Sequence, residues 1–142
     1  DPAFAAYVSN NTKGNGLVIN IESVPAIERL DALMDVEGID AVLIGPHDLS
    51  CSLGIAEQYQ HPKFLEAVET IFRKARARGI GAGIHFWGSE DEHVRFLDMG
   101  ANILIHKADV ILFRTHLQAE LASIRARVGD QAANQKGGAV SI

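Results

Sequence analysis

Four times along this chain a short apolar run, rich in β-branched residues, is followed by a stretch whose apolar side chains recur at helical spacing. The runs are residues 17–21 (Leu17-Val18-Ile19-Asn20-Ile21), 39–44 (Ile39-Asp40-Ala41-Val42-Leu43-Ile44), 80–86 and 102–106. Such alternation makes the strands parallel, because each helix carries the chain back before the next strand begins, and it places the helices outside the sheet. Two architectures satisfy it. One is a small open doubly wound sheet; the other is half of an eight-unit (β/α)8 barrel, whose whole needs about 250 residues. Periodicity leaves both open.

Local signals bound the units. Ser23 is placed to cap a helix with Pro25 in its first turn, and Ile27, Leu30, Leu33 and Met34 share one face before Gly38. Residues 45–60 read as a long loop, of the kind that carries function. His61-Pro62 opens a helix ending at Gly79, with Phe64, Leu65, Val68, Ile71, Phe72 and Ala75 on its apolar face. Ser89 and Glu92 have the spacing of a capping box, Gly100 stops that helix, and a last helix is expected over about 110–128. Residues 1–16 read as the end of a preceding helix or loop, and 129–142, polar with Gly137-Gly138, as a flexible tail.

Composition narrows the function. With 142 residues and 47% hydrophobic content the chain suits one domain with a real core. A net charge of −5 argues against binding a nucleic-acid backbone, which needs a basic face. The single cysteine, Cys51, excludes an internal disulfide and a multi-cysteine zinc site and suits a reducing cytosol. No apolar run approaches the roughly 20 residues of a membrane span, and no signal-peptide pattern is present. A chain that opens on Asp1-Pro2 need not begin where its gene does.

In a parallel sheet, chemistry collects at the C-terminal strand ends. Four places qualify: Glu22, the stretch Gly45-Pro46-His47-Asp48-Leu49-Ser50, His85-Phe86-Trp87, and His106-Lys107-Ala108-Asp109. Glu22 and Asp48, on adjacent units, form an acidic pair that suits a hard divalent cation; either alone suits a helix N-terminus equally well. Gly45-Pro46 reads as a tight strand exit whose backbone can approach a ligand. His47 and His85 fit an acid, base, ligand or wall residue. His61, His93 and His116 read as surface or packing, Trp87 and Phe86 as pocket, oligomer contact or core, and Cys51 as a small buried residue. No phosphate-binding glycine loop is present.

The segments Val18-Ile19-Asn20-Ile21-Glu22-Ser23 and Val36-Glu37-Gly38-Ile39-Asp40-Ala41-Val42-Leu43-Ile44-Gly45-Pro46-His47-Asp48-Leu49-Ser50 together resemble the HpcH/HpaI aldolase family. Glu22 and Asp48 stand 26 residues apart, as do that family's two metal-binding carboxylates. His61-Pro62, the strand entry at 79–83 and Gly100-Ala101 fall in register as well. The resemblance covers 17–128 and implies an α/β fold, a TIM (β/α)8 barrel of which this chain holds about the last four βα units. It implies a class II, metal-dependent lyase that reversibly cleaves a 4-hydroxy-2-oxo acid to pyruvate and an aldehyde. Glu22 and Asp48 would hold Mg²⁺ or Mn²⁺, and Gly45, Pro46 and His47 would form the pyruvate-binding turn. Asn20 stands where many members have Gln, and His85 where many are apolar; both are candidate substrate contacts. The general-base His and an Arg belong to the first half of the barrel, and no segment here matches it.

The resemblance further implies small-molecule partners, a cytoplasmic location and a hexamer built as a trimer of dimers, with the final helix on a neighbouring subunit. Rival readings are a catalytically incomplete fragment, a related acyl-CoA C–C lyase (without the basic loops it would need), and Schiff-base chemistry at Lys107.

Overall fold

The structure is a computed structural model describing residues 1–11 and 14–129; the expected tail from residue 130 onward lies outside the described residues. Strands β1 (Val18–Ile21), β2 (Ala41–Ile44), β3 (Gly81–Phe86) and β4 (Ile103–His106) form one sheet in the order β1-β2-β3-β4. All three pairings are parallel. A doubly wound sheet reverses its strand order at a switch point, and no reversal occurs here. Unbroken sequential order is that of a barrel wall, so the four units form an arc of a (β/α)8 barrel.

Helices fill the connections: α1 (Pro2–Asn11) before the sheet, α2 (Val24–Glu28), α3 (Leu30–Met34), α4 (Pro46–Ser52), α5 (Pro62–Ala77) and α6 (Glu90–Asp98). The chain forms two compact units, residues 1–106 and the segment from Lys107 onward. The second holds α7 (Asp109–Val128), closed by Gly129 in the left-handed conformation with Arg125 and Arg127 in its last turn, a favourable arrangement of cations at a helix C-terminus. No residue of α7 is buried, and Phe113, Ile124 and Val128 are among its exposed apolar side chains.

The core of the first unit lies on one face of the sheet. Ile21, Val42, Ile44, Ala82, Ile84 and Phe86 point there and meet Phe64, Val68, Ile71, Phe72 and Ala75 of α5. Alternation sends Asn20, Leu43, Gly83 and His85 to the opposite face. That face is more open at the sheet margins, where Val18 and Ile105 are exposed. Gly83 has no substitute: a Cβ there would stand 2.6 Å from the Ile103 carbonyl oxygen. Asp31 of α3 reaches Lys74 (2.7 Å) and Arg78 (2.8 Å) at the end of α5, which holds its carboxyl below the usual range.

Three expectations are corrected. The segment 45–60 is not all loop, because α4 occupies its first half; at seven residues, burying only Leu49 and Ser50, it is too short to show a helical period. The helix expected after Ser23 is two short helices, broken at Arg29, whose backbone leaves the helical region at φ −104°, ψ 11°. Cys51 is exposed, because α4 turns Leu49, Ser50 and Leu53 inward and leaves Cys51 on its outer side.

The Ser23 hydroxyl accepts from the Ala26 N–H, as expected, and His61, read from the sequence as surface or packing, caps α5 through its ring Nδ1, which accepts from the Lys63 N–H at 3.1 Å. At α6 the box is complete: Glu92 Oε2 accepts from the Ser89 N–H at 2.8 Å and Oγ at 3.0 Å, and Oε1 accepts from Gln60 at 2.6 Å. The Ser89 N–H chiefly lowers the Glu92 pKa below its ordinary value; partial burial opposes it, and the Ser89 and Gln60 side-chain bonds and nearby His93 add to the lowering. A carboxylate depressed in the folded state stabilises it above the unfolded pKa, and that contribution is lost as pH falls through the folded value. The Glu92→Gln variant is therefore expected to be less stable than the parent at pH 7, with the gap closing as pH drops below the ordinary value of 4.5. Unfolding free energies from urea titrations across pH 3 to 7, about 0.5 kcal/mol apart at the top for a carboxylate screened by solvent, check this.

Candidate active site

Strand register builds the site. Ile21, Ile44 and Ile84 occupy one row across the sheet, so the next residues along each strand, Glu22, Gly45 and His85, share the row at its C-terminal edge. Glu22 leaves β1 on the same side as Asn20, and Asn20 Nδ2 donates to Glu22 Oε1 at 3.0 Å. The Glu22 carboxylate lies directly over Gly45, whose missing Cβ is the space it fills; a Cβ there would overlap the Glu22 Cγ, Cδ and carboxylate oxygen. Gly45 is also the N-cap of α4, with Pro46 at the helix start and Asp48 in the first turn. Asp48 thus lies beyond the strand end, on the helix that Gly45 opens. Both acidic residues belong to one helix N-terminus, where negative charge is favoured.

Of the remaining sequence candidates, His47 is exposed and its ring faces Glu57 and Cys51: Nδ1 lies 3.3 Å from Glu57 Oε1 and Nε2 lies 3.9 Å from Cys51 Sγ. Glu57 carried no signal in the sequence. It sits at φ 58°, in the left-handed region, and its N–H donates to the buried Ser50 Oγ, which in turn donates to the His47 carbonyl. The 53–61 connection is tied to the core by Tyr59, edge-on to Phe64 and Phe86; burial above all, then Glu57 and Cys51, raises the Tyr59 hydroxyl pKa above 10.0.

His85 lies in the site row, and its Nε2 accepts from the Trp87 indole N–H at 3.0 Å. Trp87 is half exposed whereas Phe86 is core. His93 is buried, as a packing role requires, with Nδ1 2.7 Å from the Ser89 carbonyl and Nε2 3.1 Å from His106 Nδ1. A depression of about 510 Å³ lined by Glu57, Tyr59, His61 and Glu92 includes neither Glu22 nor Asp48.

Among the described residues no group of three or more His, Cys, Asp or Glu side chains is placed to hold a metal ion. The donor set at the α4 N-terminus is two carboxylates with no thiolate. That set fits a hard cation such as Mg²⁺, which is commonly held by one or two carboxylates, keeping waters and substrate oxygens in its other positions. It does not fit zinc, which takes three or four protein ligands, mostly nitrogen and sulfur.

Four parallel strands in sequential order, with helices in the connections, define an arc of a (β/α)8 barrel, a fold whose sites collect at the C-terminal strand edge. The chain belongs to the HpcH/HpaI aldolase/citrate lyase family, which matches residues 7–115. It is 38% identical over 110 residues to the 2-keto-3-deoxy-L-rhamnonate aldolase of Escherichia coli K12, covering 78% of this chain and 41% of that protein. Among solved structures, an HpcH/HpaI aldolase from Desulfitobacterium hafniense DCB-2 superposes with a TM-score of 0.72 at 31% identity, over 86% of this chain and 47% of that one. Citrate synthase SbnG superposes with a TM-score of 0.67 at 27% identity, over 82% and 46%. The chain spans about two fifths of the length of the curated relatives it matches. No helix among the described residues is long and apolar enough to cross a membrane.

Gly45 has φ −89° and ψ 97°, which alanine adopts without strain, so Gly45→Ala isolates the contact with Glu22. The glutamate is flexible enough to swing aside, and the expected stability loss is below about 1 kcal/mol. The side-chain amide protons of Asn20 should shift in a ¹⁵N-correlated NMR spectrum, as in Glu22→Gln. Unmoved Asn20 signals would show that the carboxylate does not lie over Gly45.

Proposed function

We propose that this chain supplies the metal- and pyruvate-binding half of a class II aldolase that reversibly cleaves a 4-hydroxy-2-oxo acid to pyruvate and an aldehyde. The observation that carries the reading is the Glu22 carboxylate laid over Gly45 at the start of the helix that bears Asp48. Kinship to a 2-keto-3-deoxy sugar acid aldolase supports the reaction class. A divalent cation held by Glu22 and Asp48, Mg²⁺ or Mn²⁺, supplies Lewis-acid stabilisation for the charge that develops as the carbon–carbon bond breaks.

The chain's own residues bind and orient. Amides in the first turn of α4 have no preceding turn to bond to, and in this reading they receive the pyruvate carboxylate at the turn Gly45-Pro46-His47. Asn20 and His85 border the same row, with His85 toward the aldehyde half, its Nε2 already accepting from Trp87. The complete reaction, in this reading, belongs to a longer protein, which the chain's span of about two fifths of its relatives' length supports. In this reading residues 17–128 are the C-terminal half of its barrel, and the general-base His and the Arg come from other units. We propose a cytoplasmic enzyme, in line with its single cysteine.

Titration of Mn²⁺ into the chain by calorimetry tests the pair. Glu22→Gln and Asp48→Asn are each expected to weaken binding by about 10-fold or more, since each removes half of the charge that attracts the cation. Unchanged affinity in either variant removes that residue from the site. The lyase reading itself is tested in the full-length enzyme by pyruvate release from 4-hydroxy-2-oxo acids; absence of release would overturn it, and release undiminished in both variants would overturn the role of the carboxylate pair.

Association is the second part of the proposal. Val110, Leu112, Phe113, Leu117, Leu121, Ile124 and Val128 are exposed on α7, more apolar surface than a solvated helix carries. We place this helix in a subunit interface of a homo-oligomer, a trimer of dimers. Light scattering after size exclusion should show a smaller assembly when the protein is truncated after Asp109. An unchanged assembly from folded, truncated protein puts the interface elsewhere.

A further inference from the structure

Asn20 and Glu22 are separated by one residue, and the amide of the first lies 3.0 Å from Oε1 of the second. A carboxylate only accepts hydrogen bonds, so chemistry alone dictates that the asparagine presents its NH₂. Behind the carboxylate is the backbone of Gly45, whose absent Cβ leaves the space that the carboxylate fills. Glu22 is thus held between a donor on its own strand and a glycine at the end of the next. A glutamate without such restraint has three side-chain torsions to order when a cation binds, the last of them broad.

We infer that Asn20 is a positioning residue for Glu22: it engages Oε1 and turns the carboxylate so that Oε2 is the oxygen offered to a divalent cation. The inference rests on the reading of Glu22 and Asp48 as a cation pair, and it gives the Asn20 amide a role toward the glutamate. Three things converge on it. Strand alternation places the two side chains on one side, the amide has only one productive orientation, and Gly45, lacking a Cβ, leaves room for the carboxylate. Groups that orient a metal ligand in this way commonly govern metal affinity by about 10- to 100-fold.

The test measures Mn²⁺ affinity of the full chain by calorimetry, with Asn20→Leu, which keeps the branched shape and loses the donor, and Asn20→Gln, which keeps the NH₂ on a longer arm. The expected result is a loss of about 10-fold for Asn20→Leu and of no more than about threefold for Asn20→Gln, at the low end of the range for such orienting groups. The thermal midpoint of the metal-free chain should be the same in all three proteins. Luminescence lifetimes of Eu³⁺ in H₂O and D₂O add a readout that a structural role would not move. Freed of Asn20, Glu22 can bind through both oxygens, so Asn20→Leu should hold about one inner water fewer than the parent. Parental affinity and water count in Asn20→Leu would overturn the inference while leaving the carboxylate pair intact. Loss of affinity that tracks loss of stability, without rescue by Asn20→Gln, would also overturn it. If the folded parent binds no Mn²⁺, the carboxylate pair itself fails, and Asn20 has no cation to serve.

Discussion

Parallel pairing in one register sets the position of every residue that matters to the site. Ile21, Ile44 and Ile84 stand in a single row with their side chains in the core. Because side chains alternate along a strand, anchoring that row on the helix side sends the next residues, Glu22, Gly45 and His85, toward the other face. A slip of one residue in β1 would bury Glu22 in the core opposite Ile44 and expose Ile21. The cost of an uncompensated buried carboxylate is several kcal/mol, so the hydrophobic row fixes the register and the register fixes the site.

The parts of this arrangement legible in the sequence are those whose cause is local. Ser23, His61-Pro62 and the Ser89–Glu92 box act within a turn of the helices they start, and α5 shows its apolar face over four turns. The pairing of Asn20 with Glu22 has an equally local cause in their two-residue spacing, yet the family resemblance casts Asn20 as a substrate contact and does not reveal the bond. What the residues left open depends on distant chain. Strand order, which separates a barrel arc from a doubly wound sheet, is a matter of which strands pair and not of their composition. The exposure of Cys51 follows from which side of α4 meets the core, and seven residues with two buried positions carry too little pattern to reveal it. The partner of His47 was hidden for another reason: Glu57 reaches it only through a left-handed backbone held by a buried serine hydroxyl.

Gly45 shows how local and distant constraints meet. Its backbone angles are ordinary, so nothing about the turn itself demands glycine. The demand comes from Glu22 on the neighbouring strand, whose side chain takes the volume of the absent Cβ. A glycine that reads as a flexible turn residue is here a packing residue. The same holds for Gly83, required by the backbone of β4 rather than by its own conformation.

Placing two acidic residues at the N-terminus of α4 sets two preferences against each other. The exposed amides of a helix N-terminus act as roughly half a positive charge, which stabilises Asp48 as an anion and opposes a cation at the same spot. With both carboxylates ionised, the pair carries two negative charges, so the helix end offsets only about a quarter of what attracts a divalent ion. The remainder still favours the cation. Meanwhile the first-turn amides, pointing away from the helix, remain suited to an anionic group such as a 2-oxo acid carboxylate. In the proposed reading one helix end would serve two purposes: its carboxylates would attract the cation and its backbone would receive the substrate anion. Neither purpose requires a catalytic side chain in this segment, so on the proposed function two carboxylates and a glycine turn would suffice for binding, with proton transfer left to other units of the barrel.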